Sequence, residues 1–130
     1  MLVLYIKSRV VKTMGSCVFA TTDPLGRQVV LTEDTFKKHI AVNHPEMKTH
    51  VRVMKQAIKD PDYIFVSTLR RDRDIYIKMS CVRGFSELGT KVIVEFPDPS
   101  SGLVVSGWLT RGLSESDASG GLRYEKPRQK

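Results

Sequence analysis

The stretch His44-Pro45-Glu46-Met47-Lys48-Thr49-His50-Val51-Arg52-Val53-Met54-Lys55-Gln56-Ala57-Ile58-Lys59-Asp60-Pro61-Asp62-Tyr63-Ile64-Phe65-Val66-Ser67 decides the fold, because the hydrophobic period changes inside it. Pro45 disfavours helix at the residue before it and is itself a good first helical residue. Met47, Val51, Met54 and Ile58 then recur at spacings of four, three and four, which is a helical stripe. Asp60-Pro61 stops that helix. From Tyr63 onward the apolar residues are β-branched or aromatic and the period drops towards two, so the chain becomes β.

Working back from His44, Thr32-Glu33-Asp34 offers an N-cap followed by two acids in a first turn. Phe36 and Ile40 supply the apolar stripe of a first helix over about residues 33–43. Residues 2–6, 17–21 and 28–31 read as short strands, the last two separated by the turn signal Asp23-Pro24-Leu25-Gly26. Working forward, strands are expected at 63–67, 74–81, 91–96 and 103–110, with short loops at 70–73, 83–89 and 97–102. Short loops between consecutive strands imply an antiparallel meander. Helices first and strands after imply an α+β fold. The expected architecture is therefore two N-terminal helices packed on one face of a four-stranded antiparallel sheet. Residues 1–27 form an N-terminal β extension, 28–113 the main domain and 114–130 a flexible polar tail too poor in apolar groups to order itself.

With 130 residues, 41% hydrophobic and 27% charged, the chain is one domain of ordinary size and not a disordered segment. No run approaches the ~18 apolar residues of a membrane span. The N-terminus has neither a basic leader nor a small-residue cleavage site. Cys17 and Cys81 do not make a disulfide scaffold, and free thiols suit a cytoplasmic protein. The formal charge is +7, of which 114–130 carry only +1. A basic body of this size favours polyanions, above all nucleic acid.

Side chains alternate faces along a strand. One face gathers Ile75, Ile77, Met79, Val92, Val94, Phe96, Leu103, Val105 and Leu109, which the helices are expected to cover. The other gathers Tyr76, Lys78, Ser80, Lys91, Ile93, Glu95, Val104, Ser106, Trp108 and Thr110. Aromatics beside cations on one sheet face are how sheets hold single-stranded RNA.

Of the three histidines, His39, His44 and His50, no two neighbours fall on one helical face, and no carboxylate–histidine cluster suggests a metal. No cofactor motif is visible. His44 falls at a helix start, where backbone dipoles oppose added positive charge and attract phosphate.

These residues have a recognisable form. Val30-Leu31-Thr32 leads into a helix with His39-Ile40, then His44-Pro45-Glu46, then a helix ending at Asp60-Pro61-Asp62, and finally Ser106-Gly107-Trp108-Leu109-Thr110. This resembles the phage-associated barnase/EndoU/colicin/RelE-like (BECR) nuclease domains over about residues 28–113. One departure is Asn43, which stands where those domains often have a basic residue. The resemblance implies a toxin-like, metal-independent endoribonuclease acting through 2′-hydroxyl attack, with RNA as substrate and an antitoxin or immunity protein as partner. It implies His44 as base or acid with His39 as its partner, and Lys78 as the cation. Thr110 and Ser106 would be phosphate donors and Glu95 a rival base. Tyr76 and Trp108 would stack bases, with Arg71, Arg73 and Lys91 in the RNA contact. A non-catalytic RNA-binding module, or an inactive accessory phage protein, is the competing expectation.

Overall fold

The computed structural model describes residues 3–6, 9–12, 16–82, 84 and 87–127. The expected strand position 2, loop positions 83, 85 and 86, and tail positions 128–130 lie outside the described residues. Strands β1 (Val3–Ile6) and β2 (Arg9–Lys12) pair as a separate antiparallel hairpin.

The main sheet starts with β3 (Cys17–Thr22) and β4 (Gln28–Thr32). The turn between them is held by Asp23, whose Oδ1 accepts from the Leu25 and Arg27 amides at 3.0 and 2.8 Å. Gly26 supplies the positive φ of 82° that the turn requires. Thr32 caps the next segment by accepting from the Thr35 amide at 3.2 Å, with Glu33 and Asp34 in the first turn. The helix α1 over residues 33–43 is α at both ends and π-wound over Phe36–Ile40, where the Ala41 amide reaches back to the Phe36 carbonyl. At His44 the backbone leaves helix, with φ −134° and ψ 75°, as the following proline demands. A 3₁₀ turn (Pro45–Thr49) leads into α2 (Val51–Lys59), which stops at Asp60 before Pro61.

Strands β5 (Tyr63–Val66), β6 (Arg73–Met79), β7 (Gly89–Asp98) and β8 (Ser101–Thr110) follow. A short helix α3 (Glu115–Ala118) and strand β9 (Leu122–Glu125) complete the chain. The sheet order is β3-β4-β8-β7-β6-β5-β9. Every pairing is antiparallel except β4 with β8, where Gln28, Val29 and Val30 run parallel to Ser101, Gly102 and Leu103.

This corrects the expected architecture. The sheet is mixed and has seven strands, not four. Strand β3, within the expected extension, pairs with β4, and β4, at the start of the expected main domain, pairs with β8. Residues 115–125 do not hang free, because β9 pairs with β5 and Asp117 of α3 is buried. Local composition sees how little apolar surface a short segment owns, but not the hydrogen-bonding edge that a sheet offers it.

The main core lies between the helices and one sheet face. It joins Ile40, Met47, Met54, Ala57 and Ile58 to Phe19, Val29, Leu31, Ile64, Tyr76, Val92, Val94 and Val104. Gly107 lies beneath α2, where a Cβ would come within 2.7 Å of the Met54 methyl. The expected covered face is therefore half wrong. Tyr76 pairs with Val92 and Ile75 with Ile93, so Tyr76 lies under the helices and Ile75, Ile77 and Met79 on the opposite face. Ile75, Tyr76 and Ile77 are all buried, so alternation along β6 carried no sign of which side the helices cover. In β8 a bulge at Val105 shifts the phase: Ser106 opposes Ile93, whereas Val104 opposes Val94. Among the described residues no helix is long and apolar enough to cross a membrane.

Candidate nucleic-acid interface

The sheet face away from the helices carries Arg73, Ile75, Lys91, Ile93, Glu95, Ser106, Trp108 and Thr110 by register. On it lies a groove of about 320 Å³ lined by Arg73, Ile75, Lys91, Ile93, Trp108, Asp117 and neighbouring residues. Most of its lining surface is apolar.

Trp108 forms one wall. Its indole meets the His44 imidazole with ring centroids 5.2 Å apart and planes inclined by 24°, an offset stack. The junction between α1 and the 3₁₀ turn thus delivers His44 to the end of β8. The His44 side chain remains about one-third exposed (32%), with Nδ1 4.0 Å from a Glu46 carboxylate oxygen. Lys91, opposite Trp108 in the register, places its ammonium 5.6 Å from the indole centroid.

The Lys91 ammonium also donates to Asp117 at 2.6 Å, with both side chains 10% exposed. Asp117 closes a capping box with Ser114: its carboxylate accepts from the Ser114 amide at 3.0 Å and its own amide donates to the Ser114 hydroxyl at 3.3 Å. Burial pushes the Asp117 pKa up, but the Lys91 and Ser114 donors outweigh it and hold the carboxyl below its ordinary value. The pattern Ser-x-x-Asp at 114–117 is a sequence signature of that capping box, set in a stretch whose composition by itself favours disorder.

The remaining expected site residues are dispersed. Tyr76 is fully buried, and its hydroxyl donates to Asp23 at 2.5 Å, so its ring is closed to a base. Burial and the Asp23 carboxylate raise its pKa far above that of an ordinary phenol. Lys78 follows the phase of Tyr76 to the helix side, where its ammonium donates to the Asp60 carbonyl at 2.8 Å and carboxylate at 3.1 Å. Glu95 is on the open face but lies between Arg70 at 2.9 Å and Arg73 at 3.2 Å. Thr110 donates to the Gly112 carbonyl at 3.0 Å. Ser106 is half-buried opposite Ile93. His39 is exposed, with Nδ1 3.3 Å from the Asn43 amide nitrogen. Arg71 lines a separate hollow of about 230 Å³ with Arg27, Asp74 and Arg123.

Behind that hollow is a buried network absent from the sequence reading. Arg27 meets Asp23 and Asp74 at 2.8 Å each, and Arg123 meets Asp74 at 2.7 Å. The Arg27 guanidinium also lies 4.0 Å from the Phe96 ring centroid. It ties the β3–β4 turn to β6 and the C-terminal strand, and its work is structural.

No protein-family model matches the chain, and no curated protein or solved structure shows significant similarity to it.

Proposed function

We propose that the protein is an endoribonuclease that cleaves single-stranded RNA by 2′-hydroxyl attack, without a metal ion, using His44 as its acid–base group. The observation that carries this reading is the stack of His44 on Trp108 beside the apolar groove. A base stacked near Trp108 would bring its ribose and phosphate towards the imidazole edge. Trp108 occupies one ring face of His44, which limits tilting and leaves the ring nitrogens as the reactive edge. Glu46 places a carboxylate oxygen 4.0 Å from Nδ1. Proton transfer by a positioned histidine contributes about 10²–10⁴-fold. Lys91 and Arg73 are the cations on the groove, and each would exchange its carboxylate partner, Asp117 or Glu95, for the phosphate. They replace Lys78, which the sheet register carries to the other face. The reading takes RNA as the partner and the cytoplasm as the compartment.

A second reading has its own support. Lys91 and Arg73 are each engaged by a carboxylate, so neither stands free to stabilise a cleavage transition state, which favours a module that binds RNA and does not cut it. Labelled RNA incubated with the protein in excess chelator separates the two. Products ending in 2′,3′-cyclic phosphate, lost in His44→Ala, support cleavage. Retention of intact RNA by the folded protein supports binding alone.

A further inference from the structure

The outer face of α2 carries a row of cations. Arg52, Lys55 and Lys59 are exposed, and at 3.6 residues per turn they lie within about 60° of one another. Met54, Ala57 and Ile58 fill the opposite face. Lys48, also exposed, stands in the 3₁₀ turn that joins this helix to His44. Among the described residues none of these four is paired with a carboxylate, whereas the cations on α1 and on the sheet are.

Helix electrostatics account for only one of them. Lys59 in the last turn complements the helix dipole, but Arg52 lies in the first turn, where positive charge is unfavourable. No acid stands in that turn to offset it. Glu46, the acid that precedes it in the 3₁₀ turn, sits beside the His44 ring. At the far end Asp60 is bound by both Lys78 at 3.1 Å and Lys126 at 2.9 Å, so that end keeps a surplus of positive charge. The row contains no aromatic residue on which a base could stack.

We propose that the outer face of α2 is a sequence-independent track for the phosphate backbone of RNA flanking the His44–Trp108 site. The proposal deepens the reading of that site and rests on it for the identity of the polyanion. Cations on a rigid helix grip phosphates and fix the strand's direction; they read no base. The row begins at Lys48, four residues after His44 in the chain, and a strand leaving the His44–Trp108 stack would have to pass the edge of β8 to reach it.

The test uses the full chain carrying Arg52→Gln, Lys55→Gln and Lys59→Gln, with the charge-keeping set Arg52→Lys, Lys55→Arg and Lys59→Arg as control. Affinity for a labelled 20-nucleotide RNA is measured against salt. The neutralised variant should lower the slope of log affinity against log salt by about 2, at roughly 0.7 per phosphate contact on a single strand. The control should keep the wild-type slope. Cleavage of a dinucleotide should be unchanged, whereas KM for the long RNA rises. An unchanged slope overturns the track. Equal loss of binding to RNA of one nucleotide and of twenty also overturns it, as does a stripe that binds anionic vesicles and not RNA. If no RNA is cut by any variant but the slope still falls, the track stands and the nuclease reading fails.

Discussion

The His44 imidazole and the Trp108 indole are stacked 5.2 Å apart, although 64 positions separate them in the chain and they belong to different kinds of element. Trp108 reaches this place because Gly107 lets α2 approach the inner face of β8, while the indole itself points to the outer face. Replacing Trp108 by Ala should weaken single-stranded RNA binding by about 1–3 kcal/mol, read as a 5- to 150-fold loss by fluorescence anisotropy. Unchanged affinity would remove the indole from the interface.

The Lys91–Asp117 pair pins α3 to β7. Asp117→Asn strands a mostly buried ammonium and should destabilise the protein by about 3 kcal/mol in denaturant unfolding. The double variant Lys91→Met, Asp117→Asn should recover most of that loss, because a buried ion pair is replaceable by apolar packing. Equal stability of the single variant and the wild type would show that the C-terminal segment contributes nothing to the fold.

Acid should weaken the same contact. The Asp117 carboxyl is held below its ordinary pKa in the folded chain. Its contribution is fully present above the unfolded-state value of about 3.9 and is lost as pH falls through the lower folded-state value. The stability gap between wild type and Asp117→Asn should therefore be constant from neutral pH to about 5 and close below about 4. A gap that persists at pH 2 would assign the effect to packing.

Tyr76 serves the buried network and not the outer sheet face. Tyr76→Phe removes the donor to Asp23 and should cost about 1–3 kcal/mol of stability, with RNA affinity unchanged in the folded variant. A selective loss of RNA binding at full stability would return Tyr76 to the interface.

The sequence made some of this legible. The break at His44 follows from Pro45, and the end of α2 from Asp60-Pro61, because proline acts on its own neighbours. The gathering of Lys91, Ile93, Glu95, Ser106, Trp108 and Thr110 on one face follows from alternation in β7 and β8. Tyr76 and Lys78 were misplaced because β6 is apolar on both sides, so nothing local set its phase. The parallel pairing of β4 with β8 and the docking of Asp117 on Lys91 join residues 73 and 26 positions apart, at Gln28–Ser101 and Lys91–Asp117. Such long-range contacts leave no periodic trace. Four separate carboxylate and arginine positions, Asp23, Arg27, Asp74 and Arg123, likewise look like ordinary surface charges until the fold buries them together.

The central claim is that His44 moves the proton in RNA cleavage, and its most direct test is the single-turnover rate on a labelled RNA in excess chelator, wild type against His44→Ala. The account predicts metal-independent cleavage that yields 2′,3′-cyclic phosphate ends and falls by about 10²–10⁴-fold in the variant, while a substrate lacking the 2′-hydroxyl is bound and left intact. Equal rates in the two proteins, or cleavage of the 2′-deoxy substrate, would contradict it.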